Sequence, residues 1–300
     1  MTFYESLKNI FLILLFLQLA PVLVEGIRKQ YSKYLEPKTP VALLPIKGIL
    51  YDSSHYNKHL NKYFKNSNIK AILLKIECPG SASATGQAIF NEILALKKEY
   101  PKPIVALVEN MCASGGYLIA SACDHIVAPG SALIGSIGTS FPYFFQLREF
   151  VEQFKIHYAP LKAGTYKTAT DPFTDLTAEE KTMLQELLDD SYQQFSEDIA
   201  RQRKLSIDTL NLWADGKIFT ARQALKLGLI DELGSAYNVV KVIREKALIE
   251  GEIEWIKPME PTGFFSLFGS QEEDDGSMFS AIVNNFFTFL ETRYCGPKLQ

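Results

Sequence analysis

The most continuous apolar run in the chain lies near its start, where IFLILLFLQLAPVLV, Ile10 to Val24, is broken only by Gln18. It is shorter than the roughly 20 residues that comfortably span a bilayer, so it predicts either a signal-peptide core or a short anchor, with a buried core helix as the alternative. Lys8 is offset by Glu5 and no small-x-small cleavage site follows, which favours an uncleaved signal-anchor or transmembrane segment over residues 1–24. Residues 25–40 are polar, contain Pro37 and Pro40, and predict a linker.

From residue 41 the pattern changes to short apolar runs separated by helical periodicity. VALLPI (41–46) predicts a strand, and Pro45, which has no N–H for a ladder, suggests an edge position. AILLKI (71–76) and IVALV (104–108) are nearly unbroken apolar runs, as expected of parallel strands covered on both faces. Between them Ile89, Phe90, Ile93, Leu94 and Leu96 recur at helical spacing, giving a strand-helix-strand unit. A second, shorter unit leads from 104–108 through a buried helix to the strand HIVA (125–128), with a further apolar piece at 132–135. A mixed strand is predicted near 156–161, followed by the loop AGTYKTATDP.

Thr177 and Glu180 carry the spacing of a capping box, and Leu184, Leu187, Leu188, Tyr192, Phe195 and Ile199 mark one face of the long helix behind it. Segment 214–234 predicts a helix stopped by Gly228 and a short Leu-Ile strand. The pattern is that of an α/β domain over residues 41–257. Residues 258–300, with EEDD at 272–275 between phenylalanine-rich pieces, read as a C-terminal extension.

Composition narrows the function. A net charge of -3 over 300 residues, with no basic stripe interleaved with aromatics, gives no support for a nucleic-acid partner. Cys78, Cys112, Cys123 and Cys295 form no C-x-x-C pair and no His/Cys cluster, so neither a metal nor another cofactor is indicated. Arg28, Lys29 and Lys33 follow the apolar segment, so a positive-inside count by itself places the bulk of the chain on the cytoplasmic side.

Candidate chemistry centres on Ser114, between the strand 104–108 and a short helix, and followed by Gly115 and Gly116. A nucleophilic serine needs an exposed hydroxyl, a base and oxyanion donors, and the first turn of a helix offers free N–H groups. Serine is equally a preferred N-cap, and Cys112 stands where a GxSxG elbow has its first glycine. Of the histidines His55, His59, His125 and His157, none has a convincing position as base. A lysine base would have to be neutral, its pKa lowered by burial or by another cation. Lys167 lies 53 residues from Ser114, and no local spacing rule connects them.

Taken together, CASGGYLIASACDHIVA (112–128), GSIG (135–138), AGTYK (163–167), DLTAEEK (175–181) and DGKIFTARQALKLGLIDELG (215–234) closely resemble the signal peptide peptidase A family of serine proteases over roughly residues 41–245. The resemblance implies a Clp protease/crotonase-like spiral of βαβ units with a Ser/Lys dyad, Ser114 as nucleophile and Lys167 as general base. Ser136 matches the serine that orients the lysine, and the backbone N–H groups of Gly115 and Ser81 match the oxyanion donors. It further implies a homo-oligomer anchored in the bacterial inner (cytoplasmic) membrane, its catalytic domain extracytoplasmic, cleaving remnant signal peptides and other short or unfolded chains.

Two positions depart from the family pattern. Ser81 replaces the second glycine of Pro-Gly-Gly, and Thr168 stands where an aspartate commonly follows the lysine. A backbone donor tolerates the first change only if its φ is negative. The departures keep open a catalytically weak, membrane-anchored peptide-binding scaffold of the same fold; an acyl-CoA enzyme on the crotonase fold fits less well.

Overall fold

The structure, a computed structural model, describes residues 3–35, 38–141 and 145–258; the C-terminal extension, with its acidic run and phenylalanine-rich pieces, lies outside the described residues beyond 258. The first helix, α1 (Phe3–Leu35), continues through Pro21 and past Val24, so residues 25–35 are helical where a linker was expected. Lys, Arg, Gln and Leu are good helix formers, and nothing among residues 25–35 stops the helix. Among the described residues no helix is long and apolar enough to cross a membrane. The apolar side chains of α1 from Phe11 to Ile27 are nevertheless exposed at successive positions rather than along one stripe.

The rest of the described chain builds a mixed α/β fold around a mostly parallel sheet. In chain order its elements are β1 (Thr39–Leu50), α2 (Ser54–Lys65), β2 (Ala71–Ser81), α3 (Ser83–Glu99), β3 (Ile104–Ala113), α4 (Gly115–Ser121), β4 (His125–Ala128), β5 (Leu133–Gly135), α5 (Arg148–Gln153), α6 (Ala178–Arg203), α7 (Leu210–Trp213), β6 (Ile218–Thr220), α8 (Ala221–Lys226), β7 (Glu232–Leu233), α9 (Ala236–Ala247) and β8 (Ile253–Ile256). The strands run in the order β6-β5-β3-β2-β1-β8, with β4 and β7 branching from β3. All described pairings are parallel except β5 with β6.

Successive side chains of a strand point to opposite faces, and here both faces are covered. Ala42, Leu44, Ile46, Ile72, Leu74, Ile76, Ile104, Ala106 and Val108 join the core beneath α2, α3 and α4. Val41, Ala71, Leu73, Val105 and Leu107 meet Val239, Val242 and Ile243 of α9 on the other face. Two-sided burial is the physical reason these strands read as continuous apolar runs rather than alternating ones.

Three expectations are corrected. β1 is an interior strand, because β8 pairs with Thr39–Ala42. Thr39 N–H donates to Glu252 O, so odd-numbered β1 residues face β8, and Pro45 faces the space beyond its end. Proline is accommodated because β8 is short. Residues 156–161 form no strand, and Ile156, Tyr158 and Leu161 are exposed, since β propensity without a neighbouring ladder does not make a strand. Leu229 and Ile230 are buried without strand structure, and the short strand comes after them, at β7.

The long helix α6 begins as expected, with Glu180 N–H donating to Thr177 Oγ1 at 3.1 Å and Thr177 N–H donating to Glu180 Oε2 at 3.0 Å. Its inward face is narrower than predicted: Leu184 and Ile199 are buried while Leu187 is exposed.

Candidate active site

The fork at β3 creates the site. Val105–Leu107 pair with β4, whereas Met111–Ala113 pair with β5. The tip of β3 is thereby separated from β4, and the chain turns there directly into α4. Ser114 occupies that turn with φ 50° and ψ −128°, a conformation that suits glycine and is strained for an L side chain. It is held by Ser114 N–H donating to Gly135 O at 2.8 Å, while Ser114 O accepts from the N–H groups of Tyr117 and Leu118. A strained strand-to-helix elbow of this kind presents a serine hydroxyl at the sheet edge, although the GxSxG signature is absent here.

Packing explains the glycine pair. A Cβ on Gly116 would lie 2.8 Å from Cys78 Sγ, 2.9 Å from Cys78 Cβ and 3.0 Å from Cys78 O. One on Gly115 would overlap Ser81 Oγ and lie 2.9 Å from Ser81 Cβ and 3.1 Å from Ser81 N. The two glycines thus let α4 settle directly on β2, and this brings Ser81 against the start of α4.

Two backbone segments meet beside Ser114. Gly115 opens α4, where N–H groups have no partner within the helix. On β2, Ala82 N–H donates to Leu50 O; the alternation of the strand then turns Ser81 N–H away from β1, toward α4. Ser81 is absent from the residues with positive φ, which meets the condition for a serine to serve as a backbone donor. Its Oγ is buried and has no hydrogen-bond partner among the described residues.

Ser136 follows the Ala113↔Gly135 pair just as Ser114 does, and its φ is 49°. Ser136 N–H donates to Lys217 O at 2.7 Å, anchoring this turn to the segment before β6. The two serines therefore sit at the ends of adjacent strands, and both line an open cleft of about 550 Å³ together with Tyr192, Asp189 and Asp215. A second cavity, of about 50 Å³, shares Ser114 and is walled by Ser81, Gly115 and Leu118 on one side and by Phe195 and Asp198 of α6 on the other.

Lys167 is not brought to this place. It lies on an exposed irregular segment, its N–H donating to Gly164 O at 3.3 Å, and it lines neither cavity. Thr168, beside it, accepts a hydrogen bond from Lys162 Nζ at 2.9 Å. None of the four histidines lines either cavity: His125 Nε2 faces Glu232 at 3.3 Å, and desolvation lowers the pKa of His59 on α2. Burial pushes the Cys78 thiol up and the Cys112 thiol well above its ordinary value, so both pack as small apolar groups beneath the elbow. Among the described residues no His/Cys/Asp/Glu group could hold a metal.

Sequence reasoning placed Ser114, Gly115, Ser81 and Ser136, and the structure gathers these four. It missed the α6 wall. Ser191, Gln194, Phe195 and Asp198 all line the smaller cavity, and their i, i+3, i+4, i+7 spacing was the available signal.

The profile of peptidase family S49 matches residues 96–250. A protein of Methanocaldococcus jannaschii described as a protease is 34% identical over 222 residues, covering 72% of this chain and 69% of that protein. One of Enterococcus faecium described as the signal peptide peptidase SppA is 28% identical, over 72% of this chain and 62% of its own length. The chloroplastic serine protease SPPA of Arabidopsis thaliana is 28% identical, over 62% of this chain but 27% of its own length.

Proposed function

Since the chain belongs to peptidase family S49, the SppA-like proteases, we propose that it is a serine endopeptidase working through Ser114 and Lys167 on a Clp protease/crotonase-like fold. The observation that carries this is the strained elbow: it holds Ser114 where both cavities meet, beside the N–H groups of Gly115 and Ser81. Strain of this size persists at functional sites because the surrounding structure enforces it.

In the proposed reaction neutral Lys167 Nζ takes the proton of Ser114 Oγ as Oγ bonds to the peptide carbonyl carbon. The carbonyl oxygen becomes an oxyanion between Gly115 N–H and Ser81 N–H. Protonated Lys167 then gives its proton to the leaving amine as the C–N bond breaks, and water, deprotonated by the same lysine, hydrolyses the acyl-enzyme. Ser136 Oγ holds the lysine amine toward Ser114.

Lys167 reaches Ser114 in a homo-oligomer. This part of the proposal is supported by the exposure of Phe145, Phe150, Phe154 and Leu161 on the segment that leads to Lys167, since contiguous exposed apolar side chains mark interaction surfaces. The proposed anchor is α1, whose apolar side chains are exposed at successive positions, the pattern of a helix that lies in an apolar medium. With it go the location in a bacterial inner membrane with the catalytic domain on the extracytoplasmic side, and remnant signal peptides and other short or unfolded polypeptides as substrates. The Enterococcus faecium relative, described as a signal peptide peptidase, supports signal peptides as substrates.

The second reading is a catalytically weak peptide-binding scaffold, favoured by the position of Lys167 outside both cavities. The full chain in detergent, assayed on a fluorogenic peptide beside Ser114→Ala and Lys167→Ala, separates the two. The peptidase requires a loss of at least ~10³-fold in each variant and a rate that rises with pH between 6 and 9; equal turnover in all three proteins refutes the dyad.

A further inference from the structure

The smaller cavity shares Ser81, Ser114 and Gly115 with the proposed nucleophile and oxyanion site. A peptide carbonyl held between those groups has its own Cα at the mouth of this cavity, so the side chain of the same residue, the one preceding the cleaved bond, is the one that enters. The inference rests on the peptidase reading in this respect.

The lining specifies what fits. Leu118 is almost fully buried and Phe195 half-buried, and they offer apolar flanks to a side-chain stem. Across from the elbow stands Asp198, its side chain only 15% exposed, and among the described residues no lysine or arginine lines the cavity. Arg201 reaches Asp198 Oδ1 at 3.2 Å, but the Arg201 side chain is 65% exposed, so this pair lies toward solvent. Burial is the main influence on the Asp198 carboxyl and raises its pKa, against the opposing effects of Arg201 and of a hydrogen bond from Gln87. This carboxylate has one cationic partner, Arg201 on its solvent side, and a cation brought to it from the cavity side would supply a second.

We propose that this cavity receives the substrate side chain on the acyl side of the cleaved bond, and that Asp198 selects lysine or arginine there. Both have an apolar stem of three or four methylenes and a charged tip, which matches a cavity with Leu118 and Phe195 along its flanks and Asp198 opposite the nucleophile. Asp198 thus determines specificity without taking part in bond making or breaking.

The test uses the full chain in detergent and fluorogenic peptides that differ only before the cleaved bond, carrying lysine, arginine or norleucine. Wild type is expected to favour lysine and arginine over norleucine by about tenfold or more in kcat/KM. Asp198→Asn should bring the three within about threefold of one another, and Asp198→Lys should turn the preference toward glutamate. Norleucine favoured by wild type, or a ratio unmoved by Asp198→Asn, overturns the proposal.

A binding arm keeps the pocket separate from the chemistry. In a Ser114→Ala background, fluorescence anisotropy with labelled peptides ending in lysine or norleucine should show about tenfold tighter binding of the lysine peptide, lost on adding Asp198→Asn. That result, together with a wild type that hydrolyses none of the peptides, would count against the peptidase reading and leave the pocket standing. Equal binding of the two peptides, or none of either, overturns the pocket.

Discussion

The contact between Ser81 and Gly115 can be tested as a pair. In Gly115→Ala the new methyl group overlaps Ser81 Oγ and lies 2.9 Å from Ser81 Cβ and 3.1 Å from Ser81 N. The hydroxyl can rotate away, but Cβ and the backbone nitrogen are fixed by β2. Forcing an extra carbon into such a place costs about 1–3 kcal/mol, only partly offset by the roughly 1 kcal/mol by which alanine exceeds glycine as a helix former. Ser81→Gly removes both Oγ and Cβ. It also removes a buried hydroxyl without a partner, a gain of about 1–3 kcal/mol, against a loss of about 0.5–1 kcal/mol for a more flexible backbone. Ser81→Gly alone should therefore be neutral to mildly stabilising. Gly115→Ala should cost at least about 1 kcal/mol less in the Ser81→Gly background than in wild type. Urea unfolding of wild type, both single variants and the double variant measures the coupling. Additivity within about 0.5 kcal/mol would show that α4 is not seated on Ser81 and would remove the packing reason for the glycine.

Two further outcomes follow from the same region. Ser114→Gly should be more stable than Ser114→Ala by about 1 kcal/mol, because φ 50° with ψ −128° is unstrained only for glycine; thermal unfolding of the two variants checks this, and the opposite order would deny the strain. Asp198→Asn should be more stable than wild type at pH 7. Burial raises the Asp198 pKa above its usual 3.8, so the folded state binds the proton more tightly than the unfolded one and wild type loses stability as pH rises through that interval. The advantage of the variant should shrink as pH falls toward 4, and a gap independent of pH between 4 and 7 would refute the assignment.

How much of this was legible in the sequence depends on the range of the interaction involved. The Thr177/Glu180 cap is local chemistry across three residues, and both of its hydrogen bonds are present. The runs at 71–76 and 104–108 announced strands covered on both faces because each residue carries its own burial preference. Residues 156–161 had the composition of a strand but no ladder neighbour. Pro45 suggested an edge, yet β8, some two hundred residues later, pairs beside β1 and merely stops short of the proline. The α6 wall combines Phe195, already marked on the apolar face of the helix, with the polar Ser191, Gln194 and Asp198 beside it. Its residues become a cavity lining only because α6 packs opposite α4.

Ser114 shows the same division within one residue. Its place between a buried strand and a short glycine-led helix is written in residues 104–121, because apolar runs and glycines act over a few positions. Sequence also ordered the motifs that mark the family and carried Lys167 with them. Tertiary structure alone decided that β3 forks, that the turn at Ser114 is held with positive φ by Gly135 O, and that Ser81, Ser136 and Asp198 converge on it. It also left Lys167 on an exposed segment apart from both cavities. The physical reason is that strand neighbours and packed helix faces are chosen by contacts between residues far apart in the chain, where no spacing rule operates.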